Sequence, residues 1–501
     1  MTKNEIRVQY SGVIIFSSKI LSIATGLIFT LLLIRSLENP EAQLGIWSNI
    51  SDLTVYFVFL AGALPFWTTR FVARGREGAV KTGLIVNSII GLIAVALYVP
   101  LVPIITSTLN IHESYIILYF AASAQIIELY LINALQACLR AKQPQAVGYG
   151  LLIGEICKIA LAYILIVKFP PWGQPLLGAM LSIIVATSIQ IIYYAKLVSG
   201  ELKQKIQWEY VKEWLKGSVA NIYNMVGSRI GAFIFILLFV YGGKAARGNY
   251  ATAAIIANII AYSFFLSFAL YPKLLAKKSL EDITTSLKMV LMFAIPMTAG
   301  VMAMPDSYLT ILDVAFRGAA PVLFLLAIDA FIVTMSQFFT SVLFGVEKID
   351  EKAKIPLKQL SRSNIFKVFT LPYIYSAITL PTAFYVLTNF MFNPVEAALY
   401  VTIISMVARF ALFLVLYTIV RKSIKIDIPW KNIAKYVFAS AVMATVLLII
   451  PHPTRIYLTL IATAIGGIIY LALLMVIDKE ARLLVHSIWQ EIKFKVEGII
   501  T

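Results

Sequence analysis

Apolar runs of twenty or more residues recur from one end of this 501-residue chain to the other, and they fix its environment before any motif is sought. A helix of about 20 apolar residues crosses the roughly 30 Å hydrocarbon core of a bilayer. Bounding the runs by charge and turn residues predicts fourteen spans, over 11–34, 46–69, 82–107, 115–137, 147–168, 175–196, 217–241, 250–272, 286–309, 319–344, 365–388, 396–420, 434–450 and 456–477. In hydrocarbon the backbone must satisfy its own hydrogen bonds, so the predicted fold is an all-α polytopic membrane protein with about 14 transmembrane helices. The composition agrees, with 60% apolar and 13% charged residues and a mean hydropathy of +0.87. The first run exceeds the apolar region of a signal peptide and lacks a small-residue cleavage site after it, so it counts as helix one.

The net charge of +17 needs no nucleic-acid partner, because no soluble domain is left to carry a basic face. It reads as topology. With the N-terminus inside, the outer side holds only Arg35, Lys168, Lys244, Arg247, Arg317 and Arg455, and most of the 42 Lys and Arg fall on the inner side. An even number of spans then puts both termini in the cytoplasm of a multi-pass cell-membrane protein, with inner-leaflet lipid as a partner of the basic loops. Segment 201–216 mixes Trp208, Tyr210 and Trp214 with Lys203, Lys205, Lys212 and Lys216, which predicts an interfacial linker helix. The tail over 478–501 spaces Leu484, Ile488 and Ile492 as a second amphipathic helix.

An internal echo organises the spans. Ser18-Lys19-Ile20 is followed by Pro65, and Ser228-Arg229-Ile230 by Pro272, at separations of 46 and 43 residues. The echo predicts a lobe over 1–200, the linker, a second six-helix lobe over 217–425, and a helix pair over 426–477. The GxxxG spacings Gly150/Gly154 and Gly227/Gly231 predict close helix packing.

Eight ionisable residues fall well inside the spans: Lys19, Asp52, Glu128, Glu155, Lys158, Arg229, Asp329 and Arg409. At about 3 kcal/mol for each charge at the centre of the membrane, eight facing lipid would cost on the order of 24 kcal/mol. That exceeds the ~5–15 kcal/mol stability of a typical protein, so they must face one another or a wet cavity. One reading pairs four cations with four anions as structural bridges. Glu155 and Lys158, three apart on one helix, are suited to it. Arg229 and Arg409 have no acidic neighbour within a turn, so their partners lie on other helices or on a substrate. The forked guanidinium matches phosphate oxygens, which makes Arg229 and Arg409 substrate-binding candidates, with Lys19 and Lys158 beside them. Asp52, Glu128, Glu155 and Asp329 are candidates for lining the cavity or holding a coupling proton or sodium ion.

No catalytic residues, metal site or cofactor are expected. Cys138 and Cys157 with three histidines make no zinc spacing, and Gly242-Gly243-Lys244 lacks the rest of a phosphate loop. Without HExxH, GxSxG or a long outer loop, an enzyme is disfavoured. Asn49-Ile50-Ser51 is a glycosylation sequon too close to the membrane to be used.

The first outer turn, Arg35-Ser36-Leu37-Glu38-Asn39-Pro40-Glu41 followed by Gly45-Ile46-Trp47, resembles the arginine, leucine, Pro-Glu and glycine-aromatic pattern of the polysaccharide-flippase branch of the multidrug/oligosaccharidyl-lipid/polysaccharide exporter superfamily. The stretch from Pro40 to Gly45 is one residue longer than that pattern. The resemblance, which covers almost the whole chain, implies a flippase that moves a polyprenyl-phosphate-linked or pyrophosphate-linked oligosaccharide to the outer leaflet by alternating access, for polysaccharide or glycan biosynthesis. Lys19, Arg229 and Arg409 would then grip the phosphate, and Asp52, Glu128 and Asp329 would line the cavity or take a coupling cation. The alternatives are a cation-coupled multidrug exporter of the same superfamily, a membrane scaffold and, more distantly, a multispan transferase.

Overall fold

The computed structural model describes residues 8–73, 75–267, 280–346, 363–390, 393–424 and 426–482. These residues contain no strand. The helices are α1 Val8–Ile34, α2 Pro40–Val58, α3 Pro65–Ala73, α4 Ala79–Thr108, α5 Glu113–Lys142, α6 Pro144–Ala162, α7 Pro175–Leu197, α8 Trp208–Ala232 and α9 Ile234–Leu237. They continue with α10 Lys244–Ala261, α11 Leu280–Ala303, α12 Pro305–Leu312, α13 Ala320–Val346, α14 Asn364–Asn389, α15 Pro394–Ser423, α16 Trp430–Ile449 and α17 Ile456–Ile477. Among the described residues, 12 helical stretches are long and apolar enough to cross a membrane. The other two of the fourteen expected spans fall on α1, whose Ala24–Ile34 is a shorter apolar stretch, and on the 26-residue α14, where Pro372, Tyr373, Tyr375, Pro381 and Tyr385 lower the hydropathy.

Local chemistry explains the breaks. Pro65 has no N–H to donate, and the expected second span is interrupted by the 3-10 turn Phe59–Gly62 before α3 begins at the proline. The Asn39-Pro40 turn is a helix cap: the Asn39 side chain accepts from the Ala42 N–H at 3.3 Å, and Pro40 sits in the first turn.

Packing divides the chain into two compact units, Met1–Gly248 with Phe369–Pro394, and Asn249–Val368 with Val395–Thr501. In this division 217–248 and 369–394 pack with the first unit. Glycines bring two of these segments together. A Cβ at Gly227 would lie 2.5 Å from the Tyr373 ring, and one at Gly231 would lie 3.0 Å from Tyr375, so α8 and α14 meet closely. Gly150 and Gly154 likewise admit Tyr194 and Gln190, which bears out close packing at both GxxxG spacings.

In the first unit α1 packs on α6, α4 on α5, and α7 on α5 and α6. Its core holds four fully buried tyrosines whose hydroxyls find acceptors, as an apolar surrounding demands. Tyr98 donates to the Tyr119 carbonyl (2.9 Å), Tyr119 to Asn49 Oδ1 (2.8 Å), Tyr130 to the Phe57 carbonyl (2.8 Å) and Tyr194 to the Val147 carbonyl (2.7 Å). Asn49 is thus fully buried, so its sequon is closed to modification. In the second unit α11 packs on α13 and α16, and Tyr470 of α17 donates to the Met292 carbonyl at 2.7 Å.

The expected interfacial helix over 201–216 is not a separate element. Residues 208–216 are the first turns of α8, with Trp214 fully buried against Phe71 and Tyr210. The Gln207 N–H donates to Thr82 Oγ1 at 2.8 Å, and the Gly78 N–H to Gln204 Oε1 at 2.7 Å, tying this stretch to the start of α4. The expected tail helix from Leu484 onward and the echo proline Pro272 lie outside the described residues.

The close crossing of α2 and α10 tests this packing. A Cβ at Gly248 would stand 1.9 Å from the Glu41 carbonyl oxygen, whereas one at Gly467 in α17 would meet nothing within 4 Å. Gly248→Val should therefore destabilise the detergent-solubilised protein by about 1–3 kcal/mol, and Gly467→Ala should be neutral or stabilising by up to ~1 kcal/mol. Thermal unfolding monitored by size-exclusion recovery reads both.

Candidate functional site

The first unit gathers its polar groups where α2, α8 and α10 meet. Asp52 and Tyr56 stand one turn apart on α2, α8 contributes Arg229 and α10 contributes Arg247. Arg247 grips Asp52 with both prongs of its guanidinium, Nε to Oδ2 at 2.6 Å and Nη2 to Oδ1 at 2.9 Å. It is 7% exposed, and its guanidinium also lies 4.9 Å from the centroid of the Phe235 ring. The Tyr56 hydroxyl lies within electrostatic reach of both Asp52 and Arg229 and makes no hydrogen bond. Arg229 is half-buried, and its Nε is buried without a hydrogen-bond partner; no carboxylate pairs with it among the described residues. With Asp52 neutralised by Arg247, the cluster is left with one net positive charge, on Arg229.

The other predicted site residues lie in three further places. Glu155 of α6 accepts from Lys158 Nζ (2.5 Å), from Ser22 Oγ (2.9 Å) and from Thr25 Oγ1, so it pins α6 to α1. Lys158 also lies 5.9 Å from the centroid of the Phe29 ring. Glu128 of α5 is 7% exposed and accepts from Ser188 Oγ of α7 at 2.7 Å. In the second unit Arg409 of α15 pairs through Nη1 with Asp329 of α13, the carboxylate almost wholly buried and the guanidinium about one-third exposed. Lys19 belongs to α1, and its side chain lies outside the described part of the structure.

The structure thus brings Asp52 and Arg229 into one site, joins Glu155 to Lys158 and Asp329 to Arg409, and leaves Glu128 with a serine. Sequence reasoning missed Arg247, Tyr56 and Phe235. Arg247 falls between the expected spans 217–241 and 250–272, but after Gly243, which adopts φ +91°, the next helix starts at once, at Lys244. Extending the expected span by one turn would have brought Arg247 opposite the acidic residue on α2.

Chemically, the cluster can hold an anion. A guanidinium facing no carboxylate offers planar donors to a phosphate, while the Arg247–Asp52 fork fixes the floor beside it. Removing one member of a buried pair strands the other charge, at a cost of about 3–5 kcal/mol, and replacing both by apolar groups costs much less. Asp52→Leu or Arg247→Met alone should therefore lower thermal stability more than the double variant, as read by melting in detergent.

No family model matches the sequence, and no curated protein matches it. Solved structures do match the fold. The lipid II flippase MurJ in an inward closed conformation aligns with a TM-score of 0.65 at 15% identity, over 94% of this chain and 100% of that one. An inward-facing multidrug resistance MATE family transporter of the MOP superfamily aligns with a TM-score of 0.61 at 13% identity, over 80% and 95%. A MOP superfamily transporter from Pyrococcus furiosus aligns at 0.56 and 13%, over 84% and 98%. The chain is an all-helical, multi-pass membrane protein with the fold of these transporters.

Proposed function

We propose that this protein is a transporter, a flippase that carries a lipid-linked oligosaccharide across the cell membrane for polysaccharide or glycan biosynthesis. The observation that carries the reading is Arg229, a guanidinium in the last turn of α8 and inside the apolar stretch Ile222–Gly242, with a buried Nε and no carboxylate partner among the described residues, whereas the acidic residues beside it and in the second unit are met by other cations. An organic cation would call for a free acid in that place; a phosphate calls for a free arginine. The fold shared with a lipid II flippase supports the reading, and the fold shared with multidrug transporters keeps the exporter as the second.

Sugar hydroxyls cannot cross hydrocarbon without hydrogen-bond partners, so the protein supplies a polar route and alternates which side it opens. Arg229 binds the phosphate or pyrophosphate, with Lys19 and Arg409 as further cations on the route. Asp52 and Arg247 hold the site in shape. Glu128, whose bonded partner among the described residues is Ser188, is the carboxylate available to a coupling proton or sodium ion. Both termini face the cytoplasm, and the basic loops lie on anionic lipid.

Sidedness of a lipid-linked oligosaccharide in proteoliposomes tests the function. Wild type should move the sugar to the opposite face, Arg229→Ala should lose about tenfold or more in rate, and Arg229→Lys should keep part of it, since a lone ammonium lacks the fork. Movement of organic cations instead of sugar would establish the exporter. For orientation, a cysteine at the exposed Trp172, in a variant without Cys138 and Cys157, should react with an impermeant maleimide from outside intact cells.

A further inference from the structure

The second unit contains a cavity of about 340 Å³ between α13 and α15, walled by eight apolar side chains that include Ile328, Phe331 and Met335 from one helix and Met406, Val407 and Phe410 from the other. Val407 is 58% exposed and Phe410 49%, so the cavity is a groove open along α15. Both helices belong to stretches long and apolar enough to span a membrane. A space lined this way stays dry, and its natural filling is a hydrocarbon chain. Lipid tails are as apolar as the lining, so the groove gains little from the hydrophobic effect; shape and a charged head must supply any preference.

The head is where the geometry discriminates. Arg409 lies on the same stretch of α15 as the groove residues, and Asp329 faces it from α13, so the ion pair runs alongside the groove. The carboxylate is buried and the guanidinium about one-third exposed, so the accessible charge is positive. Arg409 is about 22 Å along the 30-residue α15, which places it near mid-helix. A resident phospholipid keeps its phosphate at the edge of the ~30 Å core, roughly 15 Å away from that depth. Only a lipid in transit brings a phosphate there.

We infer that the α13–α15 groove holds part of the isoprenoid chain of the polyprenyl-linked substrate while its phosphate passes Arg409. The inference rests on the flippase reading for the identity of the lipid. The methionines adapt to a branched, methylated chain, and the phenylalanines give it flat faces to lie on. A volume near 340 Å³ is at the small end of ligand pockets, ~300–1,000 Å³, so it accommodates a few isoprene units, with the rest of the tail in lipid.

The full-length protein, reconstituted with a polyprenyl phosphate bearing a photoreactive diazirine on its chain, should be labelled on peptides containing 328–335 and 406–413. Unlabelled polyprenyl phosphate should compete, and Val407→Trp, which fills the groove from its exposed rim, should reduce labelling about tenfold. Equal labelling by a phosphatidylglycerol carrying the diazirine on an acyl chain, or labelling unchanged in Val407→Trp, would overturn the assignment. Sidedness measured in the same vesicles separates the two readings. Translocation without groove labelling defeats the groove alone, and labelling without translocation supports an isoprenoid site while defeating the flippase.

Discussion

A charge inside hydrocarbon has no water to fall back on, and this constraint shapes the whole molecule. The chain meets it by giving charges partners from its own helices. A fork closes Asp52 with Arg247, an i,i+3 pair with two hydroxyls closes Glu155, and a contact between helices closes Asp329 with Arg409. The same economy governs neutral groups. Tyr98, Tyr119, Tyr130 and Tyr194 each donate to a carbonyl or an amide oxygen, so their aromatic bulk fills the core of the first unit with its hydroxyls satisfied.

Among the described residues, Glu128 and Arg229 depart from that pattern: Glu128 meets a serine, and Arg229 meets no carboxylate. Its Nε is buried and unbonded, in a cluster whose carboxylate is already held on two sides by another arginine. Under the proposed function, those unused donors serve the phosphate of the lipid. Arg409 differs: its charge is answered by Asp329, so it can guide an anion without holding it firmly. A tight grip at one arginine and a weak one at another is a reasonable arrangement for moving a phosphate, because a site that binds too well does not release.

Much of the fold was legible because apolar run length is a direct readout of bilayer thickness. The ion pairs were half legible. Glu155 and Lys158 lie on one turn, so periodicity alone joins them, and the lack of local acids near Arg409 correctly sent the search for its partner to another helix. Asp52 and Arg247 are 195 residues apart, and no pattern in one sequence joins residues at that distance. The segment over 201–216 misled for a related reason: aromatic and basic residues in alternation look the same whether the aromatics meet headgroups or, like Trp214, a core built by α3 and α4. The close approach of α14 to α8 likewise depends on which side chains the α8 glycines admit, which composition does not encode.

The distance between Asp52 and Arg247 also bears on how the protein is made. Chains are synthesised at about 5–20 residues per second, so α2 is delivered to the membrane roughly 10–40 s before the arginine that neutralises its aspartate exists. Glu155 waits only for the next turn of its own helix. During that interval Asp52 lacks the partner it has in the finished fold, and the tight α2–α10 crossing at Gly45 and Gly248 can close only afterwards. Assembly of this membrane protein therefore has a built-in order, in which a late helix completes an early one.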